Sequence, residues 1–199
     1  MKPTLIGLTG GIAAGKSEAL EAFARLGAKT ISSDAVVHEL LDSAEVRERL
    51  VERWGKEIAP GGRVDRARVG EIVFSRPGEL AWLEGELHPR VGERIDAWRS
   101  SLDPDTAFGV VEVPLLFEAA MADAFDATVA IVADDATRQR RAQQRGQGRV
   151  EEREARQLAQ GEKAARADHV VRNDGTIEDL ERALAELLEG LDRGWGGAA

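Results

Sequence analysis

Residues 4–17 read Thr-Leu-Ile-Gly-Leu-Thr-Gly-Gly-Ile-Ala-Ala-Gly-Lys-Ser, and this stretch restricts the fold most sharply. Leu5-Ile6-Gly7-Leu8 suits a short buried strand. From Gly10 to Ser17 the pattern is G-x-x-x-x-G-K-S, the phosphate-binding P-loop, which average residue usage produces by accident in roughly 1% or fewer of chains this long. Glycines let backbone approach an anion, and successive N–H groups form a nest for its oxygens. A helix starting near Lys16 adds the positive end of its dipole. Lys16 reaches the β- and γ-phosphates, and the Ser17 hydroxyl ligates Mg²⁺. The stretch therefore predicts a nucleoside-triphosphate site at the end of a parallel strand.

Composition narrows the partners. With 199 residues, one α/β domain with an inserted subdomain is expected. A net charge of −9 disfavours a general nucleic-acid surface. The chain has no cysteine, which excludes disulfides, thiolate zinc sites and cysteine nucleophiles and fits a cytoplasmic protein. Met1-Lys2-Pro3 leads straight into the first strand, so neither a signal peptide nor a membrane span is expected.

After Ser17, the spacing of Ala19, Leu20, Phe23 and Leu26 predicts a helix, and Ala28 to Ser32 a second strand ending at Ser33-Asp34. This is a βαβ beginning, hence a parallel sheet. From Asp34 to about Leu102 the apolar residues fall at helical spacing, giving four or five helices and no strong strand. Such a stretch is too long for a simple crossover and reads as a helical subdomain able to hold a second substrate. Phe108 to Val113 is the strongest remaining strand, with Pro114 ending its paired part. Thr128 to Val132 and His169 to Arg172 follow as strands, and Ile177 to Leu191 as an amphipathic closing helix. Gly194 to Gly197 reads as a frayed tail.

Between residues 138 and 156 stand seven arginines against three glutamates. A solvated helix laced with ion pairs is one reading. A lid over a bound triphosphate is the other, because phosphoryl transfer needs cations at the transferring group. Arg141 and Arg145, four apart, would share a helix face. Asp34, just past the second strand, is either a helix cap or a carboxylate that accepts a hydroxyl proton or helps hold Mg²⁺. His88-Pro89 is a helix break or a functional histidine, and Glu118 is a cap or a substrate contact.

In combination these residues resemble the dephospho-CoA kinase family. The family pattern L-T-G-G-I-G-S-G-K-S corresponds to Leu8 to Ser17, I-D-A-D to Ile31-Ser32-Ser33-Asp34, H-P to His88-Pro89, and V-P-L-L-F-E to Val113 to Glu118. Arg141 and Arg145 match the family's arginines. Gln157, Glu162-Lys163, Ala167-Asp168 and Val170 to Gly175 match its closing motifs. Two departures stand out: Ala13-Ala14 replaces Gly-Ser in the loop, and Ser32 replaces an aspartate. No Walker-B aspartate ends the strand at Phe108 to Val113.

The resemblance implies an α/β P-loop fold with a five-stranded parallel sheet. The core would cover about 1–34, 103–137 and 165–190, the helical insertion about 35–102, and the lid about 138–164. It implies transfer of the ATP γ-phosphoryl group, with Mg²⁺, to the ribose 3′-hydroxyl of dephospho-CoA. Asp34, Lys16, Arg141 and Arg145 would be catalytic, and Ser17 and Asp34 would serve the metal. ATP would lie against Gly10, Gly11, Ile12, Ala13, Ala14, Gly15, Lys16, Ser17, Glu18, Asn173 and Gly175, the last two near the adenine. Thr9, Asp34, His88, Leu116 and Glu118 would meet the acceptor. No nucleic acid, membrane or obligate protein partner is implied. A GTPase switch would carry N-K-x-D and D-x-x-G, and both are absent from the sequence.

Overall fold

The computed structural model describes residues 3–144 and 157–192. The chain divides into two compact units: one runs to Ser32 and resumes at Leu102, and the other is Ser33–Ser101.

The first unit is built on five parallel strands: β1 (Thr4–Gly10), β2 (Lys29–Ser32), β3 (Phe108–Glu112), β4 (Ala127–Val132) and β5 (His169–Arg172). Their order is β2-β3-β1-β4-β5, with the P-loop strand at the centre. β1, β3 and β4 read as unbroken apolar runs because helices cover a parallel sheet on both faces. Ile6 and Leu8 of β1, Val110 of β3, and Val129 and Ile131 of β4 are all fully buried. With Phe23 of helix α1 (Lys16–Arg25), they form the core of one face. Helices α6 (Asp135–Gln144), α7 (Gln160–Arg166) and α8 (Ile177–Asp192) complete this unit. Leu180, Leu184 and Leu188, four apart on α8, close the core. Asp179 accepts from the Thr176 amide while Thr176 Oγ1 accepts from the Asp179 amide, a reciprocal cap that fixes where α8 starts.

The second unit is helical: α2 (Ser33–Asp42), α3 (Ala44–Trp54), α4 (Arg66–Ser75) and α5 (Glu79–Ser100), with two short 3₁₀ turns at Lys56–Ile58 and Pro60–Gly62. Leu83, Leu87, Val91 and Ile95 run down one side of α5 as its buried stripe. Ser43 Oγ caps α3 by accepting from Val46 N, and Asp65 Oδ1 caps α4 by accepting from Ala67 N and Arg68 N. Two local expectations change. Ser33 and Asp34 open α2 rather than end β2. His88-Pro89 does not break the chain's course, because Pro89 lies inside the continuous α5. Proline there removes the amide that would bond to the carbonyl of Gly85. Among the described residues no helix is long and apolar enough to cross a membrane.

Candidate nucleotide-binding site

The loop between β1 and α1 leaves the sheet at Gly10, whose position admits nothing larger. Its φ is +153°, and a Cβ there would collide with the carbonyl oxygen of Ile131 on β4. Gly15 has φ +98° and precedes the first helical residue, Lys16. Ala13 also takes a left-handed φ, +58°, where the family pattern has glycine. An alanine in that region costs about 1 kcal/mol or more.

The loop carbonyls are matched by side-chain donors from α1, α6 and the segment after β5. Lys16 Nζ donates to Gly10 O at 3.1 Å and Gly11 O at 3.0 Å. From α6, Arg138 Nε donates to Ile12 O at 3.0 Å and Arg141 donates to Ala14 O at 3.3 Å. From just beyond β5, Asn173 Nδ2 donates to Ala14 O at 2.9 Å, while its Oδ1 accepts from Arg141 at 3.4 Å. Asn173 is 4% exposed, and its own amide is held by Val132 O. From α7, Gln160 bridges both backbone groups of Ala133, at 2.7 and 3.2 Å, and its Cβ lies where a side chain at Gly11 would go. The arrangement turns these carbonyls back into protein, as a loop that offers its N–H groups to an anion requires.

α6 is aimed by its cap. Asp134 Oδ1 accepts from Thr137 N, which holds the Asp134 carboxyl below its ordinary range. Arg138 and Arg141, three apart, then both reach the loop. Arg145, expected on the same face, lies outside the described residues, as do residues 145–156 of the expected lid.

A second polar cluster stands where β3 ends. Lys163 on α7 is fully buried, donates to Pro114 O and pairs with Glu118 Oε1 at 3.0 Å. Thr9 Oγ1 donates to the same Pro114 carbonyl. Burial pushes the Glu118 carboxyl up, but hydrogen bonds from Leu158 N and its own amide, with the Lys163 ammonium, hold it below its usual range.

The sheet unit thus assembles Thr9, Gly10 to Glu18, Leu116, Glu118, Arg141, Asn173 and Gly175. Thr9 and Leu116 are wholly buried, Ser17 is exposed, and Gly175 sits against Asp179 at the start of α8. Asp34 and His88 belong to the helical unit, both exposed, on α2 and α5. Sequence reasoning passed over Glu112, a buried carboxylate at the carboxyl end of β3, in register with Leu8 and Ser32. Its signal was a charge inside an apolar run. It placed Arg138 only among the arginines of the expected lid and singled out no role for Gln160.

The dephospho-CoA kinase family model matches residues 4–179. The chain belongs to the dephospho-CoA kinase family. A dephospho-CoA kinase of Leifsonia xyli is 39% identical, with 94% of this chain and 98% of the relative covered. Among solved structures, protein TT1252 of Thermus thermophilus shares 34% identity at a TM-score of 0.80, covering 96% of this chain and 99% of that one. A dephospho-CoA kinase of Campylobacter jejuni shares 25% at 0.67, covering 98% and 100%. The family makes the chain an ATP-using kinase, and its α/β P-loop fold with five parallel strands is the one described above.

Proposed function

We propose that this protein transfers the γ-phosphoryl group of ATP to the ribose 3′-hydroxyl of dephospho-CoA, giving coenzyme A and ADP. The observation that carries the reading is the P-loop whose Gly10, Gly11, Ile12 and Ala14 carbonyls are turned back by Lys16, Arg138, Arg141 and Asn173, within a chain that matches the family over nearly its whole length.

In this reading the loop amides of Gly11 to Ser17 bind the β-phosphate, and Lys16 swings from the Gly10 and Gly11 carbonyls to the transferring group. Glu18 follows on the first turn of α1. Asn173 and Gly175 line the nucleotide side. Glu118 and His88 serve the acceptor, and Thr9 and Leu116, both wholly buried, support the site from the interior, Thr9 through the Pro114 carbonyl. The Asp34 carboxylate takes the proton of the 3′-hydroxyl as that oxygen attacks the γ-phosphorus, and the bond to ADP breaks. Arg141, with Arg145, neutralises charge on the equatorial oxygens.

The donor set suits Mg²⁺ brought by the nucleotide. Among the described residues no three His, Asp or Glu side chains gather into a metal cage, while the Ser17 hydroxyl is exposed at the first turn of α1. Mg²⁺ keeps most of its water and takes few protein ligands, so Ser17, with Asp34, would hold it. It would supply charge neutralisation between the β- and γ-phosphates.

The test is mass-spectrometric detection of coenzyme A from the purified chain, ATP, Mg²⁺ and dephospho-CoA. Turnover on a nucleoside monophosphate with none on dephospho-CoA would overturn the proposal.

A further inference from the structure

The Ala14–Gly15 peptide is the last before the P-loop becomes helix, and its orientation is not left to the loop. A trans peptide points its C=O and N–H in opposite directions. Whatever holds Ala14 O therefore aims Gly15 N–H the other way. Here Ala14 O faces Asn173, 159 residues away, which donates from Nδ2 at 2.9 Å. The same arrangement explains Gly15 beyond its φ of +98°: a Cβ at this residue would run into Asn173 Nδ2.

The other side-chain donors to the loop carbonyls are cations: Lys16, Arg138 and Arg141. A bound polyphosphate competes for such groups. Asn173 is neutral, and its backbone is locked to β4 through Val132 O. Its amide keeps hold of Ala14 O when Arg141 turns to phosphate.

We propose that Asn173 is a positioning residue for phosphate binding: it fixes the Ala14–Gly15 peptide so that Gly15 N–H faces the anion. This rests on the nucleotide-kinase reading only for the identity of the polyphosphate. It differs from a contact with the adenine, because its effect should be felt by a ligand that has no base.

The experiment compares Asn173→Leu and Asn173→Asp with the parent chain. Three quantities are measured: the ATP KM, the dephospho-CoA KM, and the calorimetric Kd of inorganic tripolyphosphate. Both variants remove the neutral donor to Ala14 O and leave only Arg141, which a polyphosphate draws away; Asn173→Asp keeps the side chain's shape should the leucine fail to fold. The ATP KM and the tripolyphosphate Kd should rise together, by about ten- to a hundredfold, the effect of leaving one buried carbonyl without its donor. The dephospho-CoA KM should stay within about twofold, since the peptide concerned faces only the donor substrate. A rise in ATP KM with an unchanged tripolyphosphate Kd would assign Asn173 to the adenine and overturn the proposal, as would no change in either. A variant that weakens dephospho-CoA as much as ATP would overturn it too. The tripolyphosphate measurement needs no acceptor, so it stands even if another alcohol proves to be the substrate.

Discussion

The two units handle their polar groups in opposite ways. All buried polar residues among those described, Thr9, Glu112, Thr128, Thr137, Lys163 and Asn173, belong to the sheet unit. In the helical unit the buried residues are apolar, and the polar ones pair at the surface. Arg49 pairs with Glu86, Arg53 with Glu79, Arg66 with Asp42, and Arg90 with Glu45, with three of the four arginines nearly half exposed. A buried polar group is costly unless satisfied, so it persists where it fixes a geometry that apolar packing cannot. Exposed pairs are screened and individually weak. The sheet unit is therefore the one in which single polar substitutions should be felt most, and the helical unit should tolerate them.

Asp34 is the strongest challenge to that contrast, because it is exposed and in the helical unit. If it is the general base, Asp34→Asn should lower kcat by about two to four orders of magnitude. The ATP KM and the melting temperature should stay near those of the parent chain. A fall of less than tenfold in steady-state turnover would remove Asp34 from the chemistry and leave the helical unit with none of the proposed catalytic groups.

Lys163 tests the contrast through stability. Lys163→Met leaves Glu118 in a site built for a cation, where Oε2 is already buried with no hydrogen-bond partner among the described residues. The expected loss is about 3 kcal/mol, at the low end for stranding one member of a buried ion pair because Glu118 keeps some exposure. Adding Glu118→Leu should recover part of it, read from urea midpoints. The pH dependence has a definite sign. A carboxyl whose folded pKa is depressed contributes stability that is full above its unfolded value, about 4.3, and lost as pH falls through the folded one. The parent chain should therefore lose Glu118's contribution in acid. The gap between parent and Lys163→Met should narrow as pH falls below about 4. A gap that widens would mean that Glu118 is not held ionised by Lys163.

In the helical unit the matching experiment is Trp82→Leu. Trp82 meets Trp54 edge-on at 5.2 Å, with the Arg53 guanidinium 5.3 Å from its ring centre. Losing both contacts should cost about 1 to 2 kcal/mol by denaturant unfolding, with kcat unchanged. A drop in kcat without a drop in stability would show that this unit, too, places its surface groups for chemistry.

What could be read beforehand follows the range of the interactions. The P-loop, the strand order of residue types and the amphipathic helices are local patterns, and they were visible in the chain. The end of β2 was not: Ser33 and Asp34 suit a strand end and a helix start equally, and α2 claims them. Lys163 could not be recognised as buried, because its partners Pro114 and Glu118 lie 49 and 45 residues earlier. Asn173 sat in a recognisable motif, but its hold on Ala14 depends on β5 reaching the sheet edge beside β4. The residues 145–156, with Arg145, lie outside what the structure describes.

Ala13 gives the smallest effect and the finest test of the loop itself. The family pattern places glycine where this chain has alanine, and the backbone there is left-handed, φ +58°. Glycine and alanine are both small, but the property that separates them here is conformational. Ala13→Gly removes about 1 kcal/mol of backbone strain from the folded loop. It also gives the unfolded chain more freedom, which takes back about 0.4 to 1 kcal/mol. The net change in stability should therefore be under about 1 kcal/mol by urea unfolding, while the ATP KM stays near that of the parent. A gain much above that would mean the loop stores strain at Ala13 that the surrounding donors must oppose. A weakened ATP KM would mean that alanine's restricted backbone helps keep the N–H groups aimed at the phosphate.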